Sequence, residues 1–159
     1  MKAIYAGSFD PFTNGHLSVI KEAASIFDKV FVVIALNSKK SRVFHEADMF
    51  NAMNDCITRC GIDNAVVVPF NGLIAEFAKA LEVKYLVRGI RNTNDFMYEE
   101  EIAKFNSKIN QSLSTIYLRA KDDAVSSSMV RELLLHDKDV SDLVPEDVLK
   151  IIQKERPLE

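Results

Sequence analysis

Cysteine, glycine and proline are all scarce in this chain of 159 residues, which carries 2, 5 and 4 of them. Cys56 and Cys60 stand four apart on an expected helix, with no CxxC and no histidine-rich neighbour. Metal sites need more converging ligands than that, so both are read as ordinary reduced thiols. No apolar run approaches the roughly 20 residues needed to cross a bilayer. Met1-Lys2-Ala3-Ile4 run straight into an apolar strand, so no secretory leader is expected and a soluble cytoplasmic domain is. A positive excess is missing too. The net charge of −3 argues against a nucleic-acid-coating surface. It still allows an anionic small molecule, provided the cations are concentrated at its site. Neither GxGxxG nor GxxxxGK[ST] occurs, which excludes two common phosphate loops by pattern. No Ser-His-Asp or Cys-His set, internal repeat or long low-complexity linker stands out.

What is present is regular alternation. With 48% hydrophobic residues, positions 1–159 suit one domain with a real core. Strands are expected at Ala3–Ala6, Val30–Leu36, Ala65–Phe70, Tyr85–Val87 and Thr115–Leu118. They are continuous apolar runs, as for strands buried on both faces of a parallel sheet. Helices are expected at His16–Phe27, Glu46–Arg59, Leu73–Leu81, Asp95–Gln111, Ser127–Leu135 and Pro145–Lys154. Strands alternating with helices predict a doubly wound α/β domain. Ligands bind such sheets at the carboxyl ends of the strands, where the strand order reverses. The polar loops that follow strands one, two, four and five all lie at those ends.

The first of these loops is Gly7-Ser8-Phe9-Asp10-Pro11-Phe12-Thr13-Asn14-Gly15-His16. It breaks a strand at glycine, turns through Asp-Pro and Asn-Gly, and enters a helix with histidine in its first turns. Free N–H groups, the positive helix end and an imidazole then face one point, which suits phosphate. His16 can donate a hydrogen bond to a phosphate oxygen as charge builds. Ser8 can reach a second phosphate, whereas Asp10 and Pro11 read as turn formers. Thr13-Asn14-Gly15-His16 resembles the T/HxGH signature of the nucleotidyltransferase superfamily. The longer stretch from Gly7 to His16 is similar to that of phosphopantetheine adenylyltransferases. Three further segments share this likeness, so the resemblance spans essentially the whole chain.

The second segment is Arg88-Gly89-Ile90-Arg91 with Asp95-Phe96 and Tyr98-Glu99 behind it. Two guanidiniums flanking a glycine can clamp two phosphates, each offering a planar fork of donors. The resemblance implies that Arg88 holds the phosphate of the pantetheine arm, that Gly89, Ile90 and Arg91 line ATP, and that Glu99 touches the nucleotide side. Glu99 also begins an acidic run, Glu99-Glu100-Glu101, which reads equally as a charged helix face. The third segment is Lys39-Lys40, mobile point charges after strand two. The family carries a Ser-Lys-Lys-Pro-like segment here. Counting between the strand and Phe44, the resemblance implies Lys40 as the functional lysine, with Lys39 as the other register; Ser38 and Ser41 replace prolines common in the family.

The fourth is Ser126-Ser127-Ser128-Met129-Val130-Arg131, a helix start richer in donors than capping alone requires. With Val125 it is similar to the second superfamily signature, ISSTxxR. Asp122, Asp123 and Ala124 precede it in the nucleotide loop, where the aromatic common in the family is missing. Ile74, after Asn71-Gly72-Leu73, falls where the family contacts pantetheine, and reads equally as a core residue. His45 and His136 stand outside any motif and are expected at the surface.

Taken together, the resemblance implies a Rossmann-like five-stranded parallel sheet of order 3-2-1-4-5, with helices on both faces and a C-terminal helix. It implies adenylyl transfer from ATP to 4'-phosphopantetheine, giving dephospho-coenzyme A and pyrophosphate. Catalysis would rest on His16, Lys40 and Arg91, and Ser8, Phe9 and Ser126 to Ser128 would join the ATP site. Mg²⁺ held mainly by ATP phosphates, a homohexamer and feedback inhibition by coenzyme A are also implied. Another nucleotidyltransferase, such as one acting on nicotinate mononucleotide, and a non-catalytic nucleotide sensor are the alternatives. No nucleic-acid or membrane partner is expected.

Overall fold

The computed structural model describes residues 1–121 and 125–155. Five parallel strands form one sheet in the order β3-β2-β1-β4-β5, as the resemblance implied. They are β1 (Lys2–Gly7), β2 (Lys29–Leu36), β3 (Ala65–Asn71), β4 (Tyr85–Ile90) and β5 (Ser114–Arg119). The helices are α1 (Asn14–Ile26), α2 (Glu46–Arg59), α3 (Ile74–Ala80), α4 (Thr93–Ile109), α5 (Ser127–Leu135) and α6 (Glu146–Glu155).

Both faces of the central strands are buried, which is why their sequences read as unbroken apolar runs. Successive side chains point to opposite faces. Ala3 and Tyr5 of β1 and Val30, Val32 and Ile34 of β2 pack into one cluster with Leu17, Ile20, Met49, Met53, Val130 and Ile152. Ile4, Ala6 and Val33 pack into the other with Ala75, Ala78 and Leu113. Helices α1, α2, α5 and α6 therefore cover one face, and α3 and α4 the other. Pro69 lies in β3 opposite Ile34, and this is tolerated because β3 is an edge strand that needs no second partner. The C-terminal helix is held to α2 through Arg59, whose Nη2 and Nε reach Asp147 at 2.8 Å and Glu146 at 3.1 Å.

Several boundaries shift by one to three residues from the sequence expectation, and two of the shifts matter to function. Helix α1 begins at Asn14 rather than His16, because Thr13 caps it and its hydroxyl accepts from His16 N at 3.3 Å. Strand β4 runs on through Arg88, Gly89 and Ile90, which pair with Tyr117, Leu118 and Arg119 of β5. Arg88 is thus a strand residue rather than a loop residue. A polar and a glycine residue interrupt the apolar run that marks a strand, so the pattern stops before the hydrogen bonding does. Gly89 has a packing reason: a Cβ there would meet Val19 Cγ2 at 2.9 Å, so only glycine admits α1 this close to β4.

Candidate active site

Order β3-β2-β1-β4-β5 reverses direction at β1, with the next strands added on its other side. A cavity of about 350 Å³ opens at the carboxyl ends of β1 and β4, at that reversal. Its walls include Gly7 at the end of β1 and Ser8 after it, Gly15, His16 and Val19 of α1, Arg88 and Gly89 of β4, Arg91 beyond it, Asp95, Tyr98 and Glu99 of α4, and Val125, Ser126 and Ser127 before and in α5.

His16 is held from two sides. The Thr13 N–H donates to its Nδ1 at 3.0 Å, with Thr13 Oγ1 3.1 Å from the same nitrogen. Its ring stands edge-on to Phe9 (centroids 4.9 Å) and stacks on Phe12 (5.8 Å). A nitrogen that accepts a backbone N–H carries no hydrogen, so the neutral ring bears its proton on Nε2. Burial, and then the positive charges of Arg91 and Arg88, lower its pKa to about 4. At neutral pH His16 is an uncharged hydrogen-bond donor.

Both arginines are oriented by carboxylates. Arg88 Nε and Nη2 donate to the two oxygens of the buried Glu99 at 2.6 and 2.8 Å, and Nη1 donates to Ala6 O at 2.7 Å. Burial works against the Arg88 charge, and the Glu99 carboxylate more than restores it. Arg91 Nε and Nη2 donate to Asp95 at 2.8 and 3.2 Å, and its N–H to the same carboxylate at 3.1 Å. Hydrogen bonds from Arg91 hold the Asp95 carboxyl below its usual range. Asp95 is itself fixed by its N–H bond to Asn92 Oδ1 at 3.0 Å, the cap of α4. Tyr5 stays an uncharged phenol, because burial raises its pKa well above the ordinary value.

The serines at the start of α5 have distinct positions. Ser126 is the N-cap and accepts from Met129 N at 3.1 Å, while Ser127 donates to Pro11 O at 2.8 Å. Ser128 is exposed and accepts from Arg131 Nη2 at 3.3 Å, away from the cavity wall. Phe9 is buried behind the wall at 1% exposure, with φ of 46°. Ile90 lies in a neighbouring hollow with Arg91, Asn92 and Arg119. Lys39 and Lys40 are exposed in the β2–α2 loop, off the cavity wall. The turn that carries them is closed by Asn37, whose Oδ1 accepts from Lys39 N and whose O accepts from Lys40 N, both at 3.0 Å. Ile74 begins α3 and packs against the second core cluster. Asp122, Asp123 and Ala124 lie outside the described residues. His45 and His136 are exposed.

Sequence reasoning assigned no role to Arg42 or Arg131, and took Asp10 only as a turn former. Arg131 Nη1 donates to Asp10 O at 2.6 Å, sewing α5 to the β1–α1 loop. Asn14 N and Nδ2 donate to Leu143 O and Asp142 O at 2.9 and 3.1 Å, so the second signature residue anchors rather than faces the cavity. The arginine that ends the ISSTxxR-like segment was the available signal for Arg131.

A cavity at the reversal of a parallel sheet, walled by cations, a helix start and a neutral imidazole donor, holds the kinds of group that nucleotidyl transfer needs. In keeping with this, residues 4–133 match the family model described as cytidylyltransferase-like. A candidate nicotinate-nucleotide adenylyltransferase from Vibrio parahaemolyticus superposes with a TM-score of 0.70 at 19% identity, covering 98% of this chain and 96% of that one. That likeness shows the fold. Nearer in sequence is the phosphopantetheine adenylyltransferase of Histophilus somni (strain 2336), 37% identical over 153 residues, 95% of this chain and 96% of that protein. The enzyme of the same name from Campylobacter curvus is 39% identical over 152 residues, 94% of this chain and 96% of its own. The chain belongs to the phosphopantetheine adenylyltransferase family.

Proposed function

We infer that this protein transfers the adenylyl group of ATP to 4'-phosphopantetheine, giving dephospho-coenzyme A and pyrophosphate in coenzyme A biosynthesis. The observation that carries the reading is the convergence of His16, Arg88 and Arg91 on one cavity beside the N-terminus of α5. A phosphate oxygen of phosphopantetheine attacks the α-phosphorus, the bond to the bridging oxygen breaks, and pyrophosphate leaves. No protein nucleophile is needed, so catalysis is positioning plus stabilisation of charge on the phosphoryl oxygens. In this reading His16 Nε2–H and Lys40 act on the α-phosphate, Ser8 and Arg88 hold the attacking phosphate, and Arg91 with the start of α5 receives the pyrophosphate. Ile74 would flank the pantetheine arm. Glu99 and Asp95 aim the two guanidiniums.

Magnesium would ride on the triphosphate. Among the described residues no group of three or more His, Cys, Asp or Glu side chains is placed to hold a metal, and Glu99 and Asp95 are engaged by arginines. When bound, the ion would neutralise phosphate charge. The reading includes a cytoplasmic enzyme, inhibited by coenzyme A at the same site and assembled as a homohexamer. Support for assembly comes from α4, where Met97, Tyr98 and Phe105 are 62%, 67% and 53% exposed. A monomeric mass in solution overturns the hexamer.

The deciding experiment is pyrophosphate release from ATP and Mg²⁺, with and without 4'-phosphopantetheine, against nicotinate mononucleotide. Release that depends on phosphopantetheine is expected. Release only with nicotinate mononucleotide would reassign the acceptor, and ATP binding without release for any acceptor would make the protein a sensor.

A further inference from the structure

The β1–α1 loop has four successive backbone carbonyls, each taken by a side chain from a distant part of the chain. Arg42 Nη1 donates to Ser8 O at 2.6 Å and Nη2 to Phe9 O at 3.2 Å. Arg131 donates to Asp10 O and Ser127 to Pro11 O at 2.6 and 2.8 Å. Neither arginine belongs to the cavity wall, which includes Ser8 and Ser127. The negative ends of these peptide groups are therefore engaged from behind the wall.

Arg42 does more than hold one loop. Its two donors bracket Phe9, whose φ of 46° is a conformation that a side-chain-bearing residue adopts at a cost. Its Nε donates to Phe44 O at 3.2 Å, at the far end of its own loop. The contact is returned: the Asp10 carboxylate accepts from Val43 N and Phe44 N, both at 2.9 Å. Each loop thus uses a side chain to bind the other loop's backbone. Arg42 lies two residues from Lys40, and Ser8 O belongs to the same peptide group as the Phe9 N–H. A guanidinium on that carbonyl polarises the N–H and makes it a better donor.

We propose that Arg42 is a positioning residue for adenylyl transfer, clasping the lysine loop to the phosphate loop so that Lys40 and the Phe9 N–H serve one phosphate site. The proposal rests on the nucleotidyl-transfer reading of the cavity, and its test has one arm that does not.

That arm is amide hydrogen exchange in the apo protein. Arg42→Ala should speed exchange at Val43 and Phe44 by about 10-fold or more, with Val32 and Val33 in the sheet unchanged. Unchanged exchange at Val43 and Phe44 overturns the proposal whatever the activity. The second arm is steady-state kinetics of Lys40→Ala, Arg42→Ala and the double variant. Arg42→Ala should lower kcat about 30-fold with KM for phosphopantetheine moving less than about 3-fold, and Lys40→Ala should cost much less in its background than in the parent. A Lys40→Ala penalty of equal size in both backgrounds overturns the coupling, as does a kcat within about 2-fold of the parent. Arg42→Lys, which keeps the charge but not the fork, should fall between parent and alanine, and serves in both arms if the alanine variant does not fold. If the parent protein releases no pyrophosphate, the function falls while the exchange arm still decides the clasp.

Discussion

The two loops that would serve the α-phosphate solve the same electrostatic problem in opposite ways. The β1–α1 loop is built in: Phe9 and Phe12 are buried at 1% and 0% exposure, and His16 is locked between a backbone donor and two rings. The β2–α2 loop presents Lys39 and Lys40 on exposed backbone, fastened at its far end through Asp10 and Arg42. Preorganised dipoles need no reorganisation as charge develops, whereas a long ammonium side chain must be ordered at the moment of use. Under the proposed reading, rigid groups would fix where the phosphate sits and an exposed lysine would be ordered onto it.

The largest effect expected from breaking this contrast is at the rigid pole. His16→Ala should lower kcat about 1,000-fold while KM changes less than about 3-fold, measured by pyrophosphate release. Equal losses in kcat and in affinity would make His16 a ground-state binder instead. Next comes Glu99→Ala, which leaves the Arg88 guanidinium half-buried without its carboxylate. Discounted for partial exposure, a loss of about 2 kcal/mol is expected, read as a lower Tm together with a weaker Kd for phosphopantetheine. An unchanged Tm would show that water replaces the carboxylate freely. At the mobile pole, Lys40→Ala should cost about 10- to 30-fold in kcat, and Lys39→Ala less than about 2-fold. The reverse order would select the other register.

The smallest effect concerns the His16 proton. Folded, its pKa is about 4, against 6.5 for an ordinary histidine. Between these values only the unfolded chain takes up the proton. The stability His16 contributes is therefore full above about 6.5 and falls as pH drops toward 4. Urea unfolding from pH 7 down to 4.5 should show a slope that His16→Ala reduces. Nitrogen-15 NMR of the apo ring should show the Nε2–H tautomer throughout pH 5.5–8; a midpoint near 6.5 would contradict the burial argument.

Local chemistry made much of this molecule legible in one dimension. Apolar runs and the serine cap before α5 mark elements because those signals act over a few residues, whereas the Thr13 and Asn92 caps start α1 and α4 two residues earlier than the apolar periodicity shows. The T-N-G-H and R-G-I-R segments pointed to phosphate chemistry, and the structure brings His16, Arg88, Arg91, Ser126 and Ser127 to one cavity. Arg42 was silent in sequence. Beside two lysines in a polar loop it reads as one more solvated cation, and its partners at Ser8 and Phe9 are more than thirty residues away.

By itself, then, the sequence determined which segments are strands and helices and which residue types could meet phosphate. Periodicity, caps and turn chemistry are short-range and are written residue by residue. Periodicity did not carry the adjacency of β4 and β1, which came from the family resemblance. Only the tertiary structure decided that Arg88 faces Glu99 and Arg91 faces Asp95, and that two arginines hold the β1–α1 loop from behind. Those outcomes depend on how crossovers pack on the sheet and on which buried charge finds which partner. Such choices are settled by burial and distance, which a linear pattern does not carry.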